Sequence, residues 1–362
     1  MHFRAEGLII TKHNVVHFHI DYFVTYFTRD FLILGLTSLR RFFRYHPSAV
    51  AYIFCFDEFS RERIREAFPD NSLSVVNVHS ANDLNEEFEE LLEDRNPLEV
   101  ITSMKPRFII EAMGKVPDKS FVVYLDPDIM TFSPIEISDS SLGADFYVFA
   151  QLGIPKSAQK LYGRFNAGLL IIKKTPISMK MLRTWYRLCQ EWCLLKVEEE
   201  KYADQKYLDE ISLSSGFFPL IDWGNNLSVR AFLKTEPSIR LYQEDENVYV
   251  NSTKLQTFHF HGLRATEFGV ITGLNRFGAI RGKVKLFKTI YIPILKDLSH
   301  ESQILGSCIS NRSNVGTFDK TLVYFFRKSP YVNNWIRNTW RLIRLTQIPW
   351  AFLKVLGNGE RV

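Results

Sequence analysis

Short apolar, β-branched stretches alternate along the chain with longer segments whose apolar residues recur every three or four positions. The first pattern is typical of buried strands and the second of amphipathic helices. Strands are predicted over residues 22–27, 52–56, 73–78, 121–125, 146–149 and 169–172. Helices are predicted over residues 32–43, from Ser60 onward, over the acidic stretch 83–94, over 103–113 with Pro106 in the first turn, and over 177–196. This alternation predicts an α/β fold with a parallel sheet and one ligand site at its switch point.

The strand predicted at residues 121–125 ends in two carboxylates, Asp126 and Asp128, separated by Pro127. Proline cannot donate to a sheet ladder, so the strand is expected to stop there. Acids in this position lie where α/β sheets bind ligands, and two of them repel each other unless they share a cation or a proton. Carboxylate oxygens suit Mg²⁺ or Mn²⁺, whose coordination substrate phosphates commonly complete. The pair therefore indicates a metal–diphosphate site, and the alternative is a solvated acidic turn.

Three polar segments further along carry more candidate residues. Asn166 precedes an Ala-Gly pair, which lets a ligand approach the backbone closely. Asp204 and Gln205 stand at the predicted start of a helix. His259 and His261 alternate, so on a strand both imidazoles face the same side. Each segment also has a purely structural interpretation, as a strand entry, a helix cap and a hydrogen-bonded histidine pair.

The order of these segments resembles that of the GT-A nucleotide-sugar glycosyltransferases. An acid pair follows a strand, and Phe-Asn-Ala-Gly, Asp-Gln-x-x-Leu and His-Phe-x-Gly come after it. The resemblance is to the retaining branch that includes glycogenin and the bacterial lipopolysaccharide galactosyl- and glucosyltransferases, and it covers roughly residues 20–265. It implies a GT-A, Rossmann-like fold with a single mixed, mostly parallel sheet flanked by helices and a C-terminal helical extension.

The resemblance also implies a cofactor and the residues that bind it. Mn²⁺ or Mg²⁺ would sit on the donor diphosphate, held by Asp126, Asp128 and His259. The reacting sugar and the acceptor would be lined by Asn166, Asp204 and Gln205.

Four further residues are expected to bind the nucleotide-sugar donor. The first strand holds the base in this family, which would put the strand from Tyr22 to Phe27 near a uracil, with Tyr22 and Phe23 as the expected contacts. Lys105 resembles the basic residue that helps to hold the donor. The family's Lys-Pro-Trp motif is missing after Gly262, and Arg264 is the expected replacement for its phosphate-binding lysine.

The implied activity is metal-dependent transfer of a sugar, with a UDP-hexose as the expected donor, to a glycan or lipid-linked saccharide. No Asp or Glu stands out as a general base, which favours retention of configuration. The alternatives are an inverting GT-A enzyme with another nucleotide sugar and a non-catalytic protein that binds sugar nucleotides. A haloacid-dehalogenase-like phosphatase also starts from Asp-x-Asp, but Met130 replaces its Thr or Val and no Gly-Asp-x-x-Asp segment follows.

Composition limits the other possibilities. A hydrophobic fraction of 46% supports a large core. The four cysteines are too few and too scattered for a disulfide framework, which predicts buried thiols in a reduced compartment. Neither a signal peptide nor an apolar run of membrane-spanning length is apparent, so a cytoplasmic location is expected.

Charge divides the chain near residue 280. Residues 281–362 contain 14 Lys and Arg against 4 Asp and Glu, and residues 1–280 contain 31 against 36. We therefore expect a catalytic domain over 1–280 and a basic, aromatic extension over 281–362. Within the basic, aromatic segment 330–356, a helix that ends at Pro349 would have an apolar face with arginines at its margins, which suits the inner face of an anionic membrane. The alternative is that this helix packs on the catalytic domain, and no nucleic-acid-binding module is recognisable.

Overall fold

A computed structural model describes most of the 362-residue chain. The described residues are 15–16, 20–69, 75–81, 85–138, 143–233, 239–266, 269–274, 278–280, 282–304 and 323–324. They include every predicted site residue.

A mixed sheet of seven strands forms the centre of the fold. The strands of the described chain are β1 (Val15–Val16), β2 (Tyr22–Phe27), β3 (Val50–Cys55), β4 (Val75–Ser80), β5 (Phe121–Leu125), β6 (Ile129–Thr131), β7 (Ile137–Ser138), β8 (Phe146–Ala150), β9 (Phe165–Lys173), β10 (Phe217–Leu220), β11 (Leu227–Ser228), β12 (Leu241–Glu244), β13 (Asn247–Val250), β14 (Thr253–Lys254), β15 (Thr257–His259), β16 (Arg264–Thr266), β17 (Gly269–Ile271) and β18 (Val323–Tyr324). The central sheet has the order β10-β8-β9-β5-β2-β3-β4, and within it β9 runs antiparallel to both neighbours. The remaining pairs are parallel.

Helices cover both faces of this sheet. The α-helices of the described chain are α1 (Leu32–Tyr45), α2 (Glu58–Ala67), α3 (Asn85–Leu92), α4 (Pro97–Lys115), α5 (Lys156–Tyr162), α6 (Pro176–Glu191), α7 (Leu208–Ile211), α8 (Lys283–Leu286) and α9 (Ile292–Ile304). Side chains of α4 and α6 pack on one face of the sheet, and side chains of α1 and α2 pack on the other. Strands buried on both faces need continuous apolar runs, which explains the sequence pattern. The predicted α/β class is confirmed, with a mixed, mostly parallel sheet.

Smaller sheets accompany the central one, so the expectation of a single sheet is too simple. β6, β11 and β15 form a three-stranded sheet in the order β11-β15-β6. Two more three-stranded sheets contain β12–β14 and β16–β18, and β1 pairs with β7. The sheet of β6, β11 and β15 matters most for the site, because it continues directly from the acid pair.

Several predicted boundaries are wrong for identifiable reasons. α4 begins at Pro97, because Asn96 accepts from the backbone N–H groups of Leu98 and Glu99 in a capping box, and Pro106 therefore lies inside the helix. α2 is capped by Asp57, whose Oδ1 accepts from the Ser60 N–H at 2.8 Å.

The thiol prediction is confirmed for the cysteines within the described ranges. Cys55, Cys189 and Cys193 are free and buried.

The described part of the C-terminal extension packs on the rest of the fold. α8, a π-helical turn over Phe287–Tyr291 and α9 follow one another, and their apolar side chains share one core with Met130 and Phe258. The buried guanidinium of Arg41 on α1 donates from Nε to Asp297 Oδ2 at 2.7 Å and from Nη1 to the Thr131 carbonyl at 2.9 Å. One side chain thus connects α1, β6 and α9.

None of the described helices has the length and apolar character needed to cross a membrane. The segment 330–356, with the helix predicted in it, lies outside the described residues.

We predict that Arg41→Met destabilises the protein by about 2–3 kcal/mol, because a buried carbonyl and Asp297 lose a charged donor. Urea titration of the free energy of unfolding measures this loss. Arg44→Met is the matched control, since Arg44 is exposed on the same helix and its replacement should cost less than about 0.5 kcal/mol. Equal effects of the two substitutions would contradict the proposed connection.

Candidate active site

The acid pair lies at the carboxyl edge of the central sheet, beside the switch point between β2 and β5. Asp126 directly follows β5, and its backbone N–H donates to the carbonyl of Gly168 on β9 at 2.8 Å. The N–H of Ile129 donates back to the Asp126 carbonyl at 3.0 Å, so Asp128 lies within a tight turn. The prediction that the strand stops before Pro127 is confirmed.

A buried ammonium group holds two carboxylates of the site. Lys105 Nζ lies 3.2 Å from Asp126 Oδ1 and 2.9 Å from Asp204 Oδ2, and the lysine is only 5% exposed. Burial would lower the pKa of Lys105, but the two carboxylates raise it well above its usual value. Burial raises the pKa of Asp204, and Lys105 opposes that rise. An uncompensated buried charge is costly, so these three residues lock α4, β5 and the segment before α7 together.

Two tyrosines border this charged cluster. The Tyr124 hydroxyl donates to Asp126 Oδ1 in a short hydrogen bond, and the Tyr26 ring stacks on Tyr124 with 5.9 Å between centroids. Burial raises the pKa of both hydroxyls, so they remain protonated at neutral pH. Tyr26 belongs to the strand that was expected near the base, although Tyr22 and Phe23 were the residues named in it. Its position at the carboxyl end of β2 makes it part of the site.

Strand pairing brings a histidine to Asp128. His259 ends β15 and pairs with Ile129 of β6, and the Phe260 N–H donates to the Asp128 carbonyl at 2.9 Å. As a result His259 Nε2 lies 3.1 Å from Asp128 Oδ1. Burial would raise the pKa of Asp128, but His259 and then His261 hold it at about 2. Asp128 is therefore ionised throughout the neutral range.

A bulge in β9 makes room for this histidine. Asn166 and Leu170 pair with consecutive residues of β8, so residues 167–169 are extra on the bulged strand. A Cβ atom on Gly168 would lie 2.7 Å from His259 Cε1, so a larger residue would displace the ring. The close approach predicted at the Ala-Gly pair exists, and the imidazole of His259 occupies it. Asn166 lies within β9 and not before it, which corrects the predicted strand start.

Two amide side chains orient His259. The Gly168 N–H donates to Asn166 Oδ1 at 2.9 Å, which fixes the direction of that amide. His259 Nδ1 lies 3.2 Å from the same oxygen and 3.3 Å from Asn226 Oδ1. Because both neighbours are acceptors, Nδ1 carries a proton and donates it. The other ring nitrogen, Nε2, is the one that faces Asp128.

Asn226 is a site residue that the sequence analysis missed. Its Nδ2 donates to Asn166 Oδ1 at 3.0 Å, and its backbone N–H donates to Thr257 Oγ1 at 2.7 Å. Its φ of +50° lies in the left-handed region, which asparagine tolerates better than most residues. A Gly-Asn-Asn run before a short apolar stretch signals a turn, but nothing local in it indicates a site.

Asp204 precedes a 3-10 turn over Gln205–Tyr207 at the same edge of the sheet. Its side chain makes no capping hydrogen bond with that turn and pairs with Lys105, so the helix-cap interpretation is wrong. The Trp185 indole donates to the Asp204 carbonyl at 2.8 Å and anchors this segment to α6.

Gln205 completes the polar edge. Its Nε2 donates to the Tyr162 carbonyl at 2.6 Å, and its Oε1 accepts from Asn166 Nδ2 at 3.5 Å. The three residues expected to line the sugar are therefore brought together, since Asn166 contacts Gln205 and Asp204 is its neighbour in the chain.

Within the described residues, one group offers metal-ligand atoms that all lie within 4.8 Å of one another: Asp128, His259 and His261. Neighbouring ligands of an octahedral ion with 2.0–2.1 Å bonds are about 3.0 Å apart, close to the 3.1 Å between Asp128 Oδ1 and His259 Nε2. Carboxylate and imidazole donors fit a divalent cation such as Mn²⁺. Asp126 lies outside this group, with its Oδ1 engaged by Lys105.

The other three predicted donor-binding residues do not join the cluster. Tyr22 begins β2 level with Val122, at the amino end of the sheet. Six strand residues span about 17–20 Å, so Tyr22 is far from the carboxyl edge. Phe23 is fully buried against Phe42, with ring centroids 4.4 Å apart, and cannot contact a ligand there. Arg264 is exposed at the start of β16, outside the polar network that the described residues form.

Comparison with known sequences finds two similar proteins of Bacillus subtilis (strain 168), and no protein-family model matches the chain. The uncharacterized protein YfnD is 24% identical over 216 residues, which are 58% of this chain and 68% of YfnD. The uncharacterized protein YfnF is 29% identical over 172 residues, which are 44% of this chain and 55% of YfnF.

Solved structures that are similar to the chain include three glycosyltransferases. The galactosyltransferase LgtC, in complex with donor and acceptor sugar analogues, has a TM-score of 0.46 and 16% identity, with 79% of this chain and 100% of LgtC covered. The apo form of GlyE from Streptococcus pneumoniae TIGR4 has a TM-score of 0.42 and 14% identity, with 79% and 64% covered. Mouse xyloside xylosyltransferase 1, also apo, has a TM-score of 0.39 and 13% identity, with 57% and 87% covered. These TM-scores are all below 0.5, so the site residues carry the functional assignment.

We predict that Lys105→Met destabilises the protein by about 3–5 kcal/mol at pH 7.5, because Asp126 and Asp204 lose their buried counter-charge. The loss should shrink at pH 5. Without the ammonium the folded-state pKa of Asp204 rises further above its unfolded value of about 3.9, so the folded protein binds more protons and gains stability as the pH falls. Urea titrations at the two pH values measure both effects.

The double variant Lys105→Met/Asp204→Asn should recover part of the loss, because one of the uncompensated charges is gone. Lys115→Met, at an exposed position of the same helix, is the control and should cost less than about 1 kcal/mol. A loss from Lys105→Met that is the same at pH 5 and pH 7.5 would show that the carboxylates are not the cause.

Proposed function

We propose that this protein is a metal-dependent GT-A glycosyltransferase that moves a hexose from a UDP-sugar to a saccharide acceptor, with retention of the anomeric configuration. The acceptor is a glycan or a lipid-linked saccharide. The observation that carries the proposal is the convergence of four sequence-distant motifs, at residues 126–128, 166–168, 204–205 and 259–261, on one edge of the sheet.

Charge at this edge suits a divalent cation and a diphosphate. Asp126, Asp128 and Asp204 bring three carboxylates, and Lys105 supplies one ammonium group. The remaining two negative charges match one divalent ion. The cation is proposed to bind at Asp128 and His259. The resemblance also implies Asp126 as a ligand, but Lys105 and Tyr124 engage its Oδ1, so Asp126 is proposed to add a second acidic charge beside the ion.

A bound cation supplies Lewis acidity that stabilises negative charge on the departing nucleoside diphosphate. Residues of the chain itself bind and orient the sugar and the acidic groups. Asn166, Asp204 and Gln205 are proposed to line the reacting sugar, where an amide oxygen or carboxylate lowers the energy of positive charge at the anomeric carbon. Lys105 holds Asp204 in place and opposes the rise that burial causes in the pKa of that carboxyl. The short hydrogen bond from Tyr124 orients Asp126.

The nucleotide base is proposed to bind at the carboxyl end of β2, near Tyr26. This revises the expectation for Tyr22 and Phe23, because the strand runs toward the acid pair and its amino end faces away from it. Docking of residues 330–356 on an anionic membrane remains a proposal that would suit a lipid-linked acceptor.

We predict that the wild-type protein turns over a UDP-hexose in the presence of Mn²⁺ and loses that turnover in EDTA. Asp128→Asn should lower turnover by 100-fold or more, since it removes a ligand charge without changing side-chain volume. The measurement is release of free UDP, GDP or dTDP from a panel of nucleotide sugars, with thermal melting of each variant alongside. The control Asp118→Asn, at an exposed position, should leave turnover unchanged.

Full activity of Asp128→Asn, or full activity in EDTA, would contradict the metal dependence. Binding of UDP-sugars without any turnover would favour the alternative of a non-catalytic sugar-nucleotide-binding protein.

We predict that the product keeps the donor's α-configuration, as the resemblance to the retaining branch implies. The proton coupling of the anomeric centre in an NMR spectrum of the product identifies the linkage. A β-linked product would place the enzyme in the alternative, inverting class.

A further inference from the structure

His261 comes next to the acid site through the turn that follows β15. The Leu263 N–H donates to the Phe260 carbonyl at 2.8 Å, and Gly262 adopts a φ of +81°, which glycine adopts readily. This turn folds His261 back on His259, with ring centroids 3.7 Å apart and planes tilted by 38°. The two histidines alternate in sequence, but the turn and not a continuous strand places their rings together.

The side-chain atoms that face each other here are of the kinds that bind metal cations. The amide oxygens of Asn166 and Asn226 lie beside Nδ1 of His259, and its other ring nitrogen, Nε2, faces Asp128 Oδ1 at 3.1 Å. A carboxylate oxygen and an imidazole nitrogen are both common ligands of divalent cations. A ligand atom of His261 lies within 4.8 Å of both.

We propose that His261 is a direct ligand of the divalent cation, and that Asp128, His259 and His261 form a site with two imidazoles and one carboxylate. The proposal deepens the proposed function, since it concerns the cation of the same site. It assigns to this chain a nitrogen ligand beyond the set that the motif resemblance implies.

A second imidazole changes which metal the site prefers. Mg²⁺ favours oxygen ligands, whereas Mn²⁺ and the later divalent metals accept imidazole nitrogen more readily. The site should therefore bind Mn²⁺ in preference to Mg²⁺ even without a nucleotide. Exchange of His261 for a residue without a ring nitrogen should weaken Mn²⁺ binding far more than Mg²⁺ binding.

The test measures Mn²⁺ binding by the full-length protein without nucleotide, through the electron paramagnetic resonance signal of free Mn²⁺, with Mg²⁺ as competitor. His261→Asn should raise the Mn²⁺ dissociation constant tenfold or more, because even loss of an outer-shell partner costs 10- to 100-fold. His261→Asp should recover binding and shift preference toward Mg²⁺. His300→Asn, at an exposed position on α9, should change nothing.

Electron spin echo envelope modulation detects the nitrogen atoms that are bound to Mn²⁺. This signal would not change if His261 only packed against His259. Wild-type protein should show nitrogen couplings from two imidazoles, and His261→Asn should show one. A single imidazole in the wild type, unchanged Mn²⁺ affinity in His261→Asn, or no Mn²⁺ binding by the wild type would overturn the proposal. Two coordinated imidazoles without sugar transfer would sustain this site and reject the transferase. If His261→Asn keeps both metal-dependent sugar transfer and the wild-type affinity for Mn²⁺, the transferase stands and His261 is not a metal ligand.

Discussion

The buried ion triad of Lys105, Asp126 and Asp204 is the interaction on which the rest of the site depends. Its three members come from a helix, a strand end and a 3-10 turn that are far apart in sequence. A buried ammonium is tolerated only when acceptors surround it, so none of these elements can shift without exposing an uncompensated charge. The triad therefore fixes the distance between the acid pair and the segment that carries Gln205.

A second chain of constraints runs from a backbone group to the proposed cation site. The Gly168 N–H cannot change its role, so it sets the Asn166 amide, which sets the proton of His259 and directs Nε2 to Asp128. Gly168 also leaves the space that the imidazole fills. Each of these groups fixes the orientation of the next one. The site is therefore pre-organised for a cation.

Local patterns were sufficient for some of the structure and insufficient for the rest. β2 and β5 were predicted at their observed bounds, because buried strands have a clear apolar signature. The antiparallel direction of β9, the distance of Tyr22 from the acid pair and the contacts of Asn226 depend on how distant segments meet, which no local pattern encodes. The order of the motifs named most of the residues that meet at this edge, His261 included, while the turn at Gly262 that brings its ring against His259 depends on the fold.

The carboxyl edge of the central sheet is proposed to bind a divalent cation together with a nucleoside diphosphate. The most direct measurement is anomalous diffraction from crystals of the protein grown with Mn²⁺ and UDP. We expect one anomalous peak within bonding distance of Asp128 and His259, with the diphosphate oxygens as further ligands. A diphosphate bound elsewhere, or a peak that touches neither residue, would contradict it.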